Sequence, residues 1–150
     1  MRTSLHSLLR EAAEQRPDAP ALSYRGATTS YGDLWAETRA VGRALRSLGV
    51  ARGDRCAVFL EKRTETVTAI FGTSAAAGVF VPVNPVLRSA QVAHILNDCG
   101  VKVLVTSRER LAVLREELKS CRSLEHVVLV GKAAAEELDG DMPSEVPQEG

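Results

Sequence analysis

The side chains of this sequence that could carry chemistry lie far apart from one another. His6, His94 and His126 form no pair at helical spacing, so the pattern favours neither a metal site nor an acid–base pair. Cys56 begins an apolar run, and no histidine-bearing motif accompanies it. We therefore expect Cys56 to be a small core residue rather than a nucleophile.

Three further positions have both a structural and a functional interpretation. Asp54 follows Gly53 in a predicted turn, and turn chemistry explains it better than catalysis does. The Glu-Lys-Arg run at 61–63 falls at the predicted carboxyl end of a strand, where open α/β sheets often bind ligands. A solvated strand–helix connection is nevertheless the favoured interpretation of this run. Trp35 is predicted to pack on a helix with its N–H near the surface.

The glycines and cations show no phosphate-binding pattern. All 11 glycines are isolated, with no Gly-x-Gly pair. The Gly-rich turn of a dinucleotide-binding domain is therefore missing, which makes that function a weak alternative. No local cluster of His, Lys or Arg in the sequence could substitute for such a turn.

Composition excludes several classes of partner. The 150 residues include 19 Lys and Arg and 19 Asp and Glu, so no net charge directs the chain to nucleic acid or to an anionic membrane. Residues 1–18 carry charges and no long apolar core, which predicts neither a signal peptide nor a membrane span. Cys56, Cys99 and Cys121 are odd in number and lack CxxC spacing, which indicates reduced thiols in a cytoplasmic protein.

The spacing of apolar runs predicts the elements that would position any site. Four such runs begin at Ala57, Val79, Val101 and Val127, about 22 to 26 residues apart, which is the length of a strand, a helix and two connections. The runs are nearly continuous rather than alternating, as is typical of parallel strands covered on both faces. The sequence therefore predicts an α/β fold with a doubly wound, mostly parallel sheet of about four strands.

The two ends of the chain differ from this pattern. Residues 5–18 predict a short amphipathic helix ended by Pro17, and residues 21–31 predict a hairpin that turns at Arg25-Gly26. Ser30 is the expected N-cap of the next helix. One apolar stripe should bury that helix, at Leu34, Thr38, Val41, Leu45 and Leu48. Residues 132–150 are acidic and contain proline, so we expect a linker or frayed tail.

The stretch SAAAGVFVPVNP, residues 74–85, joins a slim helix end to an apolar strand. Thr64 is expected to open that helix, and Gly78 to supply a positive φ and a close approach to the sheet. Pro82 predicts a strand that pairs imperfectly on one side or leaves the sheet at that point. The predicted buried face of the helix consists of Val67, Ile70, Phe71 and Ser74.

Three motifs in register carry a resemblance to a known family. SAAAGVFVPVNP is similar to the second core motif of the AMP-forming adenylating enzymes, TSYGDL (residues 29–34) resembles the first, and GVARGDRCAVFL (residues 49–60) resembles the turn and strand between them. The resemblance covers roughly residues 4–131. The Asn84-Pro85 ending resembles the acyl-CoA synthetase branch rather than peptide-synthetase domains. EKRTETV and NPVLRSAQVAHILNDCG resemble acyl-CoA ligases associated with exosortase systems in bacteria.

This resemblance implies an activity whose catalytic motifs are not found in this sequence. Such enzymes activate a carboxylate, here expected to be a fatty acid, with ATP and Mg²⁺ to an acyl-adenylate, and then usually transfer the acyl group to a thiol such as CoA. Their Ser/Thr/Gly-rich loop ending in Pro-Lys and their adenylating lysine match no position here. We therefore assign no catalytic, cofactor-binding or metal-binding residue, and expect no cofactor for this chain alone.

The resemblance also implies a division of the chain. Residues 1–131 correspond to part of the large N-terminal domain, and residues 132–150 to the acidic linker or tail. We expect a fragment of an AMP-dependent acyl-CoA ligase that is inactive alone and self-associates. The alternative is a stand-alone, non-catalytic remnant or a partner-binding α/β module.

Overall fold

A computed structural model describes residues 4–130 and 144–147 of the chain. These residues form five helices and seven strands. The helices are α1 (Leu5–Gln15), α2 (Tyr31–Ser47), α3 (Thr64–Ala75), α4 (Ser89–Asp98) and α5 (Arg108–Leu118). The strands are β1 (Pro20–Tyr24), β2 (Ala27–Ser30), β3 (Arg55–Phe59), β4 (Val79–Pro82), β5 (Val103–Ser107), β6 (His126–Val130) and β7 (Ser144–Pro147).

The central sheet is parallel and doubly wound, as predicted. Its strand order is β4-β3-β5-β6-β7, and every neighbouring pair is parallel. Alternate residues of the strands contribute to two cores, because successive side chains point to opposite faces of a sheet. One core packs against α4 and α5 and the other against α2 and α3. β1 and β2 form a separate antiparallel hairpin.

The sheet has one strand more than expected. Ser144–Pro147 pairs in parallel with β6, although these four residues fall in the segment predicted to be a linker or frayed tail. An edge strand needs only backbone pairing on one side, so its sequence carries little apolar signal. The rest of that predicted tail, at 132–143 and 148–150, lies outside the described residues.

The N-terminal elements follow their local sequence signals. α1 ends before Pro17, and the hairpin turns at Arg25 and Gly26, which have φ values of +50° and +80°. These are the positive angles that a tight two-residue hairpin turn requires. The Ser30 hydroxyl accepts a hydrogen bond from the Asp33 N–H at 3.2 Å and caps α2. The predicted stripe of α2 is buried except at Leu48, which is half-buried.

The predicted buried face of α3 is wrong. The helix buries its small side chains, at Thr68, Ala69, Gly72 and Thr73, whereas Val67, Ile70, Phe71 and Ser74 are only half-buried. The reason is the neighbouring helix: a β-carbon built on Gly72 would lie 2.5 Å from Val41 Cγ1 of α2. Two helices this close leave room only for small residues between them.

The end of α3 also differs from the prediction in one respect. Ala77, not Gly78, has the positive φ, at +64°. The Gly78 N–H donates to the Thr73 carbonyl and the Ala77 N–H to the Ser74 carbonyl, both at 2.9 Å, which is the Schellman arrangement. The predicted close approach of Gly78 is confirmed, since a β-carbon there would lie 3.0 Å from the Asp54 carbonyl oxygen. Pro82 is the last residue of β4, which pairs on one side only because it lies at the edge of the sheet.

Candidate functional site

The strand order creates a crevice between β3 and β5. From β3 the chain passes through α3 to β4 on one side, and from β4 it returns through α4 on the opposite face to β5. The helices that follow β3 and β5 therefore lie on opposite faces of the sheet. Open α/β sheets bind ligands outside the carboxyl ends of such strands.

A cavity of about 410 Å³ occupies this edge of the sheet, and we call it the switch-point cleft. Phe59 ends β3, Ser107 ends β5, and Ser89 begins α4, so three elements end or begin at the cavity. The complete lining is Phe59, Glu61, Leu87, Ser89, Ser107, Glu109, Arg110, Val113 and Leu114. This volume lies within the usual range for small-molecule sites.

Arg110 of the switch-point cleft contacts a carboxylate, a backbone carbonyl and an aromatic ring. Its Nε lies 3.0 Å from Glu61 Oε2, its Nη1 donates to the Pro85 carbonyl at 3.0 Å, and its Cζ lies 4.8 Å from the centre of the Phe59 ring. The Ser107 hydroxyl accepts from the Arg110 N–H at 3.3 Å and caps α5. Three side-chain contacts therefore hold the guanidinium at the cleft, and the cap fixes the start of the helix that carries it.

The Glu-Lys-Arg run at 61–63 forms part of an ion-pair network. Arg63 binds Glu61 at 3.1 Å and Glu65 at 2.8 Å, and Arg110 reaches Glu61 from α5. The pKa of Glu61 is lowered, first by a hydrogen bond from the backbone N–H of Glu61 itself and then by Arg110 and Arg63. A carboxylate held in its ionised form is no general acid at neutral pH. Glu61 is therefore held as an ion-pair partner of Arg63 and Arg110 rather than as a proton donor.

Asp54 and Cys56 have contacts that indicate structural rather than catalytic roles. The Asp54 carboxylate accepts from the Ala51 N–H at 2.8 Å and from Lys102 Nζ at 3.2 Å, and these two contacts lower its pKa. Cys56 is fully buried, and burial raises the pKa of its thiol to about 11. The thiolate, which is the nucleophilic form, is therefore scarce at neutral pH.

The histidines stay apart. His94 is exposed on α4, His126 begins β6, and the His6 ring lies on α1 with its Nδ1 2.9 Å from Ser74 Oγ. Trp35 is half-buried on α2, and its ring is parallel to that of His6 at 6.4 Å between centres. Among residues 4–130 and 144–147 no group of three His, Cys, Asp or Glu side chains could hold a metal ion.

Comparison with known proteins identifies the family. The sequence profile described as AMP-binding enzyme matches residues 9–149. The chain belongs to the AMP-binding enzyme family. Among solved structures, an anthranilate CoA ligase, AuaEII, in complex with anthranoyl-AMP is similar at a TM-score of 0.84 and 26% identity, over 89% of this chain and 26% of that chain. A benzoate CoA ligase from Burkholderia xenovorans LB400 has a TM-score of 0.78 at 22% identity, over 85% of this chain and 26% of that one.

Curated relatives of this chain include peptide synthetases. Surfactin synthase subunit 1 of Bacillus subtilis (strain 168) is 32% identical over 102 residues, which are 68% of this chain and 3% of that protein. Nonribosomal peptide synthetase 8 of Aspergillus fumigatus is 30% identical over 149 residues, 99% of this chain and 2% of that protein. The chain thus spans a small part of the length of these relatives. None of the helices in its described portion is long and apolar enough to cross a bilayer.

Proposed function

We propose that this chain is part of an AMP-forming ligase that joins a carboxylic acid, of the fatty-acid class, to CoA. The observation that carries the proposal is the family match over residues 9–149. The similarity to an anthranilate CoA ligase supports CoA as the thiol. In this reaction a substrate carboxylate oxygen attacks the α-phosphorus of ATP and expels pyrophosphate. The thiol then attacks the acyl carbon and expels AMP.

The part of the reaction assigned to these residues is support and binding. Residues 1–131 form part of the large N-terminal domain in this proposal, and the switch-point cleft provides one wall of a small-molecule site. Mg²⁺ would spread the triphosphate charge in the complete enzyme. No residue of the chain is given a catalytic role. The three free cysteines, at 56, 99 and 121, support a reducing, cytoplasmic compartment.

Two other functions compete with this one. Activation of an amino acid for peptide synthesis is favoured by the curated relatives, which are peptide synthetases. Asn84 favours the acyl-CoA branch, because peptide-synthetase domains more often carry an acid at that position. The second alternative is a non-catalytic remnant or partner-binding module. In that case neither the 150-residue chain nor the complete product would adenylate a carboxylic acid.

Carboxylate-dependent exchange of pyrophosphate into ATP tests the proposal. The 150-residue chain and the complete reading frame of its gene would be assayed with fatty, aryl and amino acids, and thioester formation with CoA would be measured separately. We expect exchange with a fatty acid only for the complete product. Exchange by the 150-residue chain, a preference for an amino acid, or no exchange by the complete product would each refute the proposal.

The role of the switch-point cleft needs its own variant. Val113 lines the cleft and is 71% exposed, so Val113→Trp fills it without disturbing the core. Glu116→Trp adds the same ring on an exposed part of α5 and is the matched control. In the complete enzyme we expect Val113→Trp to raise the KM for one substrate. Equal kinetics in the two variants would remove the cleft from the site and leave the reaction type untouched.

A further inference from the structure

Arg10 of the first helix meets three arginines of α2 on one side of the molecule. Arg39, Arg43 and Arg46 lie at spacings of four and three along α2, which places them on one helix face. Arg10 of α1 stands opposite them. The space between is a cavity of about 240 Å³, which we call the arginine cleft. It shares no lining residue with the switch-point cleft.

Within the described part of the chain, no carboxylate lines the arginine cleft. None of the residues that line it is acidic, and none of its four arginines pairs with a carboxylate of the described residues. Arg63, Lys102 and Arg110, by contrast, all have carboxylate partners within 3.4 Å. Neighbouring positive charges repel one another, and an anion bound between them would relieve this repulsion. The surface therefore favours binding of an anion from solution.

The floor and one wall of the cleft are fixed. Gly42 and Ala75 line the cavity, and their small size makes it concave. The Arg46 guanidinium donates to the Ala75 carbonyl at 3.1 Å, and the Arg39 guanidinium lies 5.8 Å from the centre of the Trp35 ring. Burial lowers the pKa of His6 at the same cavity, and the charges of Arg10 and Arg46 lower it further.

We propose that the arginine cleft binds a compact, multiply charged phosphoryl anion, either free pyrophosphate or the di- or triphosphate end of a nucleotide. Guanidinium groups match phosphoryl oxygens with paired hydrogen bonds. Four formal positive charges around about 240 Å³ fit a small ligand of high charge density. The carboxylates of an acidic peptide are distributed over a length of chain that so small a cavity would not hold. The proposal does not depend on the acid or thiol that the complete enzyme uses.

The chain contains its own reporter for this site. Trp35 is the only tryptophan of the sequence and lines the cleft. The 150-residue chain would be titrated with inorganic pyrophosphate at low ionic strength while Trp35 fluorescence is recorded. We expect a saturable change. Arg10→Gln combined with Arg43→Gln takes one cation from each wall and should weaken binding about tenfold or more.

The matched control removes the same charge elsewhere. Arg52 and Arg122 are exposed and line no described cavity, so Arg52→Gln with Arg122→Gln should retain the affinity of the unmodified chain. Circular dichroism would confirm that both double variants fold. Absence of a saturable change in the unmodified chain, or equal affinities in the two double variants, overturns the proposal.

Further ligands separate the sources of the anion. Orthophosphate should bind more weakly than pyrophosphate because it carries less charge. Metal-free ATP that binds as tightly as pyrophosphate would identify the phosphate end of a nucleotide, whereas much weaker ATP binding would identify the free inorganic anion. A poly-glutamate peptide that binds more tightly than either would make the cleft a protein-docking surface and refute the proposal.

Discussion

Gly72 of α3 lies directly against Val41 of α2, so that a β-carbon built on Gly72 would be 2.5 Å from Val41 Cγ1 and 2.6 Å from Val41 Cβ. One position along α2, a β-carbon on Gly42 would be 3.2 Å from Ala75 Cβ. The two helices therefore cross with their backbones almost in contact. The φ of Gly72 is not positive, so its backbone conformation does not require glycine. The requirement comes from packing against Val41.

The first prediction concerns Gly72→Ala. In an ordinary helix this change stabilises the protein by about 0.5–1 kcal/mol, because glycine is a poor helix former. Here the new methyl group would overlap Val41, and we expect the free energy of unfolding to fall by about 1–3 kcal/mol instead. Urea unfolding of the two proteins measures the difference.

A second variant isolates the contact between Gly72 and Val41. In a Val41→Gly background the overlapping atoms are gone, so Gly72→Ala should be neutral or stabilising there. The double-mutant cycle should therefore show a coupling between the two positions. A stabilising Gly72→Ala change in the unmodified chain would contradict the described helix crossing.

The contrast between α2 and α3 shows what the sequence could predict. The stripe from Leu34 to Leu45 alternates at helical spacing with polar residues, so apolar periodicity alone identified the buried face of α2. In α3 the buried residues are small or β-branched polar ones such as Thr68 and Gly72, and the larger Val67 and Phe71 line a separate cavity beside α1. Hydrophobicity reports transfer from water and carries no information on the distance between two helix axes.

The second prediction concerns Ala77→Gly. Ala77 has a φ of +64°, a left-handed conformation that costs an L-residue roughly 1–2 kcal/mol and glycine almost nothing. After the larger entropy of glycine in the unfolded chain is counted, we expect a net gain of about 0.5–1 kcal/mol in the free energy of unfolding. Urea unfolding would be compared with Ala40→Gly, an exposed change within α2 that should cost a similar amount. Similar losses in both variants would contradict the assigned end of α3.

The candidate sites show more clearly which features can be predicted from sequence and which cannot. Cys56 and Asp54 were correctly predicted as a core and a turn residue, because burial and turn chemistry are local properties. The arginine cleft was missed, because Arg10 stands 29 residues before Arg39 and only the packing of α1 on α2 brings them together. Arg110 joined the network at 61–63 for the same reason, since it arrives from another helix.

The third prediction follows from the environment of His6. Burial, then Arg10 and Arg46, lowers its pKa below 6.5 in the folded state. Between pH 6.5 and this lower pKa the unfolded chain binds more protons, so the stability linked to His6 is complete above pH 6.5 and is lost as the pH falls. Free energies of unfolding at pH 7.5, 6.5 and 5.5 should therefore decline less in His6→Asn than in the unmodified chain.

The asparagine retains a polar partner for Ser74 and removes the titration. His94→Asn, on the exposed surface of α4, is the matched control. If the unmodified chain and His6→Asn lost stability equally between pH 7.5 and 5.5, the lowered pKa of His6 in the folded state would be wrong.

The fourth prediction concerns β4, which pairs only with β3 and lies at an edge of the sheet. Its first residue, Val79, is 48% exposed, and the open edge offers unpaired backbone groups to a second copy. We therefore expect the 150-residue chain to self-associate through this edge. Sedimentation velocity over a range of concentrations should show a growing fraction of dimers or larger species, and Val79→Lys should shift the distribution toward the monomer.

Val113→Lys distinguishes edge pairing from general hydrophobic association. Val113 is 71% exposed on α5, so the same substitution there removes an apolar side chain and adds a charge without touching a strand. If association occurs through β4, Val113→Lys should self-associate as the unmodified chain does. Equal effects of the two lysines would indicate non-specific contact between apolar surfaces. A chain that remains monomeric at every concentration would contradict the predicted association.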